Sequence, residues 1–496
     1  VVLHGAVAAS IFALFARLTS ERGLALLAAL LFLGCEDHSM SVGWIATITD
    51  LLCVLFIELA LLAHLGFRET GRSGWRWASL LAFVAAMVSE ESAALAGLGI
   101  VLLELWLPVS SPVPSGAALP LAPAAWLRAA RERWREWGPA AALMMAYLVF
   151  YRAAGFGVSC RMYLNPMAEP AAYLQNAALR LPVMVLATLT PVPPSLAMFF
   201  PATTPGLVMA GLLLLLAAAV ALRPLLREPV VAWSIGPFFV ALLPQLATLP
   251  SERLLYLPMA FGCFVLARVV VTLPWLGRRL LDAPLPPASW VTRALALGVV
   301  LPSAVVGLRL SALYPPMFRD SLSQPAVEVR TAVTPVRAAA PERVVFVNTS
   351  GAFVTVYAAD VRTFELGRRL PVTVLSSANV PFELERIDAR TLVLRTNEPG
   401  WVSHPFANLV RTHAELERGS RWTRAGVTAT VEEVTADGRD ALAVRFAFDT
   451  PLDAGRTLLL EWTGERFAPL DFRALRDGER RPLTTPKSLA AMMLGE

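Results

Sequence analysis

The sequence predicts a polytopic α-helical membrane protein with a β-rich, sandwich-like domain at its C-terminal end. Three observations predict this class. The chain is 56% hydrophobic and 16% charged with mean hydropathy +0.58, too apolar for an ordinary soluble globule. Its apolar residues crowd into 1–313, as long runs separated by charged loops. From about residue 326 the texture changes to short β-branched runs such as "ERVVFVNTS" and "RTLVLRTN". The domain plan is therefore a transmembrane domain over 1–313, a linker over 314–330 and a β-rich extracytoplasmic domain over 331–496.

About ten spans are expected in the first domain, over residues 1–18, 23–34, 44–66, 77–89, 92–107, 139–155, 205–222, 229–248, 256–275 and 290–312. Several fall short of the roughly 20 residues that a straight spanning helix needs. Short or broken helices are tolerated where protein rather than lipid surrounds them. The stretch "LRLPVMVLATLTPVPPSLAMFF" is broken by Pro191, Pro193 and Pro194, and is expected to be re-entrant or interfacial. The chain opens inside an apolar helix with no charged leader. The expectation is that a natural N-terminus precedes Val1.

Charge sets the orientation. The net charge is +5, almost all from arginine, Lys487 being the single lysine. "RETGRSGWRW", "RAARERWREW", "RPLLREP" and "GRRLLDAP" go to the cytoplasm by the positive-inside rule. "WLRAARERWREW" reads as an amphipathic helix on that surface. The loops holding "CEDHSMS", "SEES", "GVSCRMYLNPMAEP" and "PSERLLYLP" then face outward with the C-terminal domain. The arginines are scattered, so the partner they imply is a lipid bilayer and not nucleic acid. With the Ala- and Pro-rich composition, this suggests the inner membrane of a bacterium. Cys35, Cys53, Cys160 and Cys263 form no CxxC motif, which argues against zinc or dithiol redox chemistry. Cys35 and Cys160 both fall on the outer side, where a disulfide is an expectation.

In the C-terminal part, "ATVEEVTADGRDALAVRFAFD" reads as a hairpin turning at Asp437-Gly438. Leu442, Val444, Phe446 and Phe448 alternate with Ala441, Ala443, Arg445 and Ala447, a period-two pattern with one buried face. An antiparallel sandwich follows. Trp401, Trp422, Trp462 and Phe467 are candidates for stacking on sugar rings, against core packing as the commoner role of large aromatics.

Ionisable residues at membrane depth are costly and so are candidates for function. Those expected at the outer face are Glu36, Asp37 and His38, then Asp50, Glu90 and Glu91, and Glu252 with Arg253. Acids can act as bases or metal ligands, and an arginine can hold a phosphate through paired N–H donors. Plain structural roles stand beside these. The 36–38 cluster reads equally as a solvated loop, Glu90 and Glu91 as helix caps, and Arg253 as an interface residue reaching for water. Glu58 and His64 read as interhelix contacts, and His4 as structural.

The run "HSMSVGWIATITDLLCVLFIELALLAH", a basic loop, "LLAFVAAMVSEESAALAGLGIVLLELW" and the later "SERLLYLP" together resemble the GT-C superfamily of membrane glycosyltransferases. The closest likeness is to bacterial relatives of the tetratricopeptide-linked transmembrane O-mannosyltransferases. The resemblance is carried by His38, Val42, Trp44, Ile45, Asp50, Leu51, Leu52, Ser89 and Glu91. A second block comprises Glu252, Arg253, Leu255, Tyr256, Leu257 and Pro258.

The resemblance implies transfer of a sugar from a polyprenyl-phosphate donor to a protein, glycan or lipid acceptor at the outer face, with a divalent metal as a candidate cofactor. It implies Asp50 and Asp37 as catalytic residues. Arg253 and Arg161 would contact the donor phosphate, and Glu36, His38, Glu91 and Glu252 the acceptor or a metal. It places the main base in an outer loop before residue 1. The sequence departs from the family pattern at Cys35, Glu36, Met40 and Ile48. Glu90 stands where the family has lysine, and no tetratricopeptide repeats are present. A non-catalytic relative acting in envelope assembly and a transporter of lipid-linked glycan remain the alternatives. The second predicts two internally repeated halves, and no such repeat is visible.

Overall fold

The computed structural model describes residues 1–43, 47–108, 112–113, 123–156, 163–190, 192–223, 225–280, 327–349, 370–402 and 416–485. The chain divides into two units, Val1–Val158 with Tyr163–Pro315, and Ser159–Met162 with Pro316–Glu496.

The first unit is helical. Its helices are α1 (Val2–Thr19), α2 (Arg22–Leu33), α3 (Ser39–Gly43), α4 (Ile48–Thr70), α5 (Ser73–Ser89), α6 (Ala93–Ala96), α7 (Leu98–Trp106), α8 (Pro123–Glu132), α9 (Trp134–Ala153), α10 (Pro170–Leu189), α11 (Leu196–Phe199), α12 (Thr204–Leu222), α13 (Pro229–Gln245) and α14 (Tyr256–Leu280). Three stretches are long and apolar enough to cross a membrane: Val2–Thr19, Ile48–Thr70 and Glu252–Thr272. Four shorter apolar helices accompany them, over Arg22–Leu33, Ala93–Trp106, Thr204–Val220 and Pro229–Gln245. The expectation of ten spans thus meets three full-length helices among the described residues, and its last span, 290–312, lies outside them. α2 shows the physical reason. Its 12 residues cover about 18 Å, short of the roughly 30 Å hydrocarbon core. The Pro-broken stretch breaks just before its prolines, as read, but begins inside a longer helix. Its first half completes the 20-residue α10, and the break falls only after Leu189.

The core of this unit runs along α1, α2, α4, α13 and α14. Phe15 stacks flat on Phe264 at 4.2 Å, and Trp233 meets Phe261 edge-on at 5.8 Å. The Trp233 Nε1–H donates to the Gly99 carbonyl at 3.0 Å. In lipid, helix association rests on such packing and on close approach at small residues. Gly211 of α12 is one such point, because a Cβ there would collide with the Pro182 carbonyl of α10.

The described residues of the second unit form two sheets. One orders β10-β3-β4-β7-β6-β5 and is wholly antiparallel; the other orders β2-β1-β8-β9. The strands are β1 (Arg343–Phe346), β2 (Val372–Val374), β3 (Glu383–Asp388), β4 (Thr391–Arg395), β5 (Arg421–Arg424), β6 (Val427–Val434), β7 (Ala441–Phe448), β8 (Thr457–Trp462), β9 (Phe467–Pro469) and β10 (Arg480–Pro482). Val345 and Leu459 of the smaller sheet share a core with Leu384, Leu394, Val431 and Phe446 of the larger, as a sandwich requires. The purely antiparallel expectation is corrected, because β1 pairs in parallel with both β2 and β8. The other face of β1 and β8 is covered too. Val344, Phe346 and Leu460 pack with Val329, Val333 nearby and Val336 of helix α15 (Val333–Ala339). Val329 is fully buried, so 327–330, expected in the linker, belong to the fold.

The β6–β7 hairpin forms as read, with Gly438 at φ 63° in its turn. The alternation holds for Val444, Phe446 and Phe448 but not at its start, where Ala441 and Ala443 are buried and Leu442 half-exposed. Ala443 lies in register with Arg395 and Glu433. Arg395 there binds Glu385, Glu432 and Glu433 at 2.9–3.1 Å, an ion-pair network that covers the small side chain. Trp401, Trp462 and Phe467 are core residues, and Trp422 is exposed.

Candidate functional site

α4 begins after the buried Thr47, and Asp50 sits in its first turn, where negative charge is favoured. α5 ends at Glu90 in an extended conformation, and the chain re-enters helix at Ala93. This break places Glu90 and Ser92 beside the α4 N-terminus. The third wall comes from a 3-10 turn, Glu252–Leu255, leading into α14. These elements enclose a compact pocket of about 40 Å³ lined by Asp50, Glu90, Ser92, Gln245, Arg253 and Tyr256, with apolar flanks.

The charges of the pocket are unbalanced. Asp50 and Glu90 bring their carboxyl groups within hydrogen-bonding reach of each other, and Ser92 Oγ is buried beside them with no hydrogen-bond partner among the described residues. Two carboxyls can bond to each other only by sharing a proton. Arg253 faces Asp50 across the pocket, but among the described residues its guanidinium closes no ion pair. Arg253 lines the pocket, and its guanidinium is of the kind that holds an anion through paired N–H donors. Glu91 is exposed and acts on Asp50 only through space.

The turn that carries Arg253 is anchored on every side. The Ser195 hydroxyl donates to the buried Glu252 carboxylate, so Glu252 ties the turn to the segment after α10. Ser251 Oγ contacts Met40 Sδ at 3.8 Å. Tyr256 lies 2.9 Å from His4 Nδ1, and His4 Nε2 lies 3.3 Å from the Leu33 carbonyl. A carbonyl only accepts, so Nε2 carries the proton and Nδ1 accepts from the Tyr256 hydroxyl. His38 completes this box, edge-on to Tyr256 at 4.6 Å. Its Nδ1 donates to the Phe32 carbonyl at 2.8 Å, leaving a buried Nε2 without a partner among the described residues.

The structure thus brings together Asp50 and Arg253 of the sequence-predicted residues, with Glu91 close by. Glu252 and His38 lie next to the pocket as supports of its walls. Asp37 is buried and accepts from Cys35 Sγ at 3.8 Å. Arg161, Cys160 with its expected disulfide, Trp44, Ile45 and the side chain of Glu36 lie outside the described residues. Among the described residues no three metal-ligating side chains gather. Sequence reasoning passed over Gln245 and Ser92, named Tyr256 only as part of the second block, and took Glu90 as an outer-face charge or helix cap without the pairing to Asp50.

A second buried charge cluster lies at the other end of α4. His64 Nε2 donates to Glu104 Oε1 at 2.6 Å, with Arg68 at 3.3 Å and Arg133 at 3.7 Å from the same carboxylate. Arg68 and Arg133 also donate to the carbonyls of Pro108, Leu107 and Glu104. Between the two ends, Glu58 is fully buried, and among the described residues neither of its oxygens has a partner.

Compared with known protein families, with curated proteins and with solved structures, the chain shows no significant match.

Proposed function

We propose that the protein is a membrane glycosyltransferase that takes a sugar from a polyprenyl-phosphate donor. The acceptor would be a protein or envelope glycan at the outer face of a bacterial inner membrane. One observation carries the reading. Two sequence blocks that resemble GT-C enzymes, one around Asp50 and one around Arg253, lie far apart in the chain and line one pocket. In this reading the Arg253 donors take the donor's phosphate, and their hydrogen bonds strengthen as charge develops on the leaving oxygen. The Asp50–Glu90 pair holds one proton and one negative charge, and it orients the acceptor hydroxyl or passes a proton. The hydroxyl oxygen bonds to the anomeric carbon, the bond to the phosphate oxygen breaks, and inversion results.

The test is sugar transfer by full-length protein in liposomes, with polyprenyl-phosphate mannose as donor and an envelope extract as acceptor. Asp50→Asn and Arg253→Ala are each expected to lower transfer by on the order of a hundredfold, as removal of one transition-state contact does. Transfer at the wild-type rate in both variants would refute these roles.

A second reading, a non-catalytic relative that binds lipid-linked phosphate, is favoured by Glu90. Its carboxyl occupies the pocket where the family resemblance expects a cation, leaving two acids against one arginine. That reading expects donor binding that depends on Arg253, with no transfer in any variant.

A further inference from the structure

The arginine-rich end of the helical unit holds a surface that the proposed reaction does not use. Arg133 and Trp137 fix its geometry. Arg133 donates to the carbonyls that end α7, and Trp137 Nε1 donates to the Ala130 carbonyl at 3.0 Å, closing the corner between α8 and α9. Trp126 of α8 packs on Trp106 of α7, with ring centroids 5.8 Å apart. Arg76 of α5 donates to the Arg135 carbonyl of α9 at 2.8 Å, so the starts of α5 and α9 lie side by side. On this frame Trp75, Trp77 and Trp134 are exposed at 45%, 64% and 57%.

The cations of this end fall into two groups. Arg17, Arg68, Arg76 and Arg133 are spent on Glu69, Glu104 and backbone carbonyls. Arg72, Arg128 and Arg131 are exposed, and among the described residues their guanidinium groups close no ion pair. A soluble surface would not expose three tryptophans beside three unneutralised arginines. Indole rings favour the headgroup level of a bilayer, and unpaired arginines there favour anionic lipid.

We infer that the surface formed by the start of α5, by α8 and by the start of α9 binds the headgroups of anionic phospholipids. Arg72, Arg128 and Arg131 take the phosphates, and Trp75, Trp77 and Trp134 sit at the headgroup level. This rests on the reading that the helical unit spans a membrane. Each unpaired arginine contributes a factor on the order of five to the preference for an anionic headgroup over a zwitterionic one. The surface therefore holds a lipid that defines this side of the unit, and α8 lies flat in the interface.

The test uses full-length protein in vesicles of phosphatidylcholine and phosphatidylglycerol. Spin-labelled lipids of each headgroup report the fraction held at the protein. The wild type is expected to hold phosphatidylglycerol several-fold over phosphatidylcholine. The R72Q/R128Q/R131Q variant is expected to lose most of that preference, and 0.5 M salt is expected to weaken it in the wild type. R421Q/R424Q, which removes exposed arginines of β5, is expected to change nothing. Equal preference in the wild type and the triple variant would overturn the inference. So would full displacement by millimolar inorganic phosphate, which would make this a site for a soluble anion. Alkaline carbonate extraction separates the two layers of the claim. Release of the wild type would overturn the membrane reading itself, whereas retention without lipid preference would overturn only this inference.

Discussion

The two ends of α4 bury charge in opposite ways. At one end Glu104 is enclosed by His64, Arg68 and Arg133, and the arginines' remaining N–H groups go to carbonyls at the end of α7. At the other end the Asp50 and Glu90 carboxyls lie within hydrogen-bonding reach of each other, and among the described residues Arg253 faces them without closing an ion pair. A satisfied network locks helices together, and its components have nothing left to offer a ligand. An unsatisfied one sacrifices stability and keeps donors and a proton available, as functional sites do. The difference separates a structural site from a candidate functional one along the same helix.

The largest effect expected from breaking this comparison is at Glu104. Glu104→Ala leaves Arg68 and Arg133 without their carboxylate and His64 without its acceptor, and should lower unfolding stability by about 3–5 kcal/mol, read by thermal unfolding in detergent. Asp50→Asn should do the reverse. It removes one acid from a crowded pair, so the melting temperature should hold or rise while transfer is lost. If Asp50→Asn melted as low as Glu104→Ala, both ends would be structural and the comparison would fail.

Glu58 sharpens the middle of the helix. An isolated buried carboxyl without a partner costs stability, and an apolar residue of similar size does not. Glu58→Leu should therefore raise the melting temperature, by roughly 1–3 kcal/mol of stability. A marked fall would mean that Glu58 has a partner in the folded protein.

In the β unit the analogous test is Asp440, buried beneath the β6–β7 turn. Its carboxylate accepts from the backbone N–H groups of Gly400, Val402 at 2.7 Å and Ala441 at 3.0 Å. Asp440→Ala should cost this unit about 2–3 kcal/mol, with sugar transfer per folded molecule unchanged.

The smallest effect is a pH dependence. Asp449 bonds Arg343 at 2.8 Å, and that bond holds its carboxyl below the ordinary aspartate range. A depressed folded-state value stabilises above the unfolded pKa, and the contribution is lost as pH falls through the folded value. The pair is largely exposed, so screening keeps it small. Asp449→Asn should flatten the acid side of the β-unit melting profile slightly, and an unchanged slope would remove the pair from the account.

Asp50 and Arg253 were legible because each is a charge at the mouth of an apolar run, which only function or a partner explains. Gln245 and Ser92 were not, because a neutral polar residue at a helix end carries no periodic signal and reads as a cap. Glu90 was legible as a charge but not as a wall of the pocket, since the break after α5 turns it inward and nothing in "VSEESA" gives that direction. In the β unit the hairpin at Asp437-Gly438 was readable from its turn residues. The parallel pairing of β1 was not, because alternation specifies which face is buried and says nothing of a neighbour's direction. The true length of α10 was hidden by Gln175, Asn176 and Arg180, polar residues that made a continuous helix read as a short apolar stretch.

The central claim is that the Asp50–Glu90–Arg253 pocket receives a lipid-linked phosphate. The most direct measurement is photo-crosslinking of full-length protein in membranes with a polyprenyl-phosphate analogue whose reactive group sits beside the phosphate, mapped by mass spectrometry. The expected result is label on the peptide spanning residues 251–257, displaced by unlabelled polyprenyl phosphate and lost in Arg253→Ala. Label confined to peptides away from the pocket, and undiminished in Arg253→Ala, would contradict it.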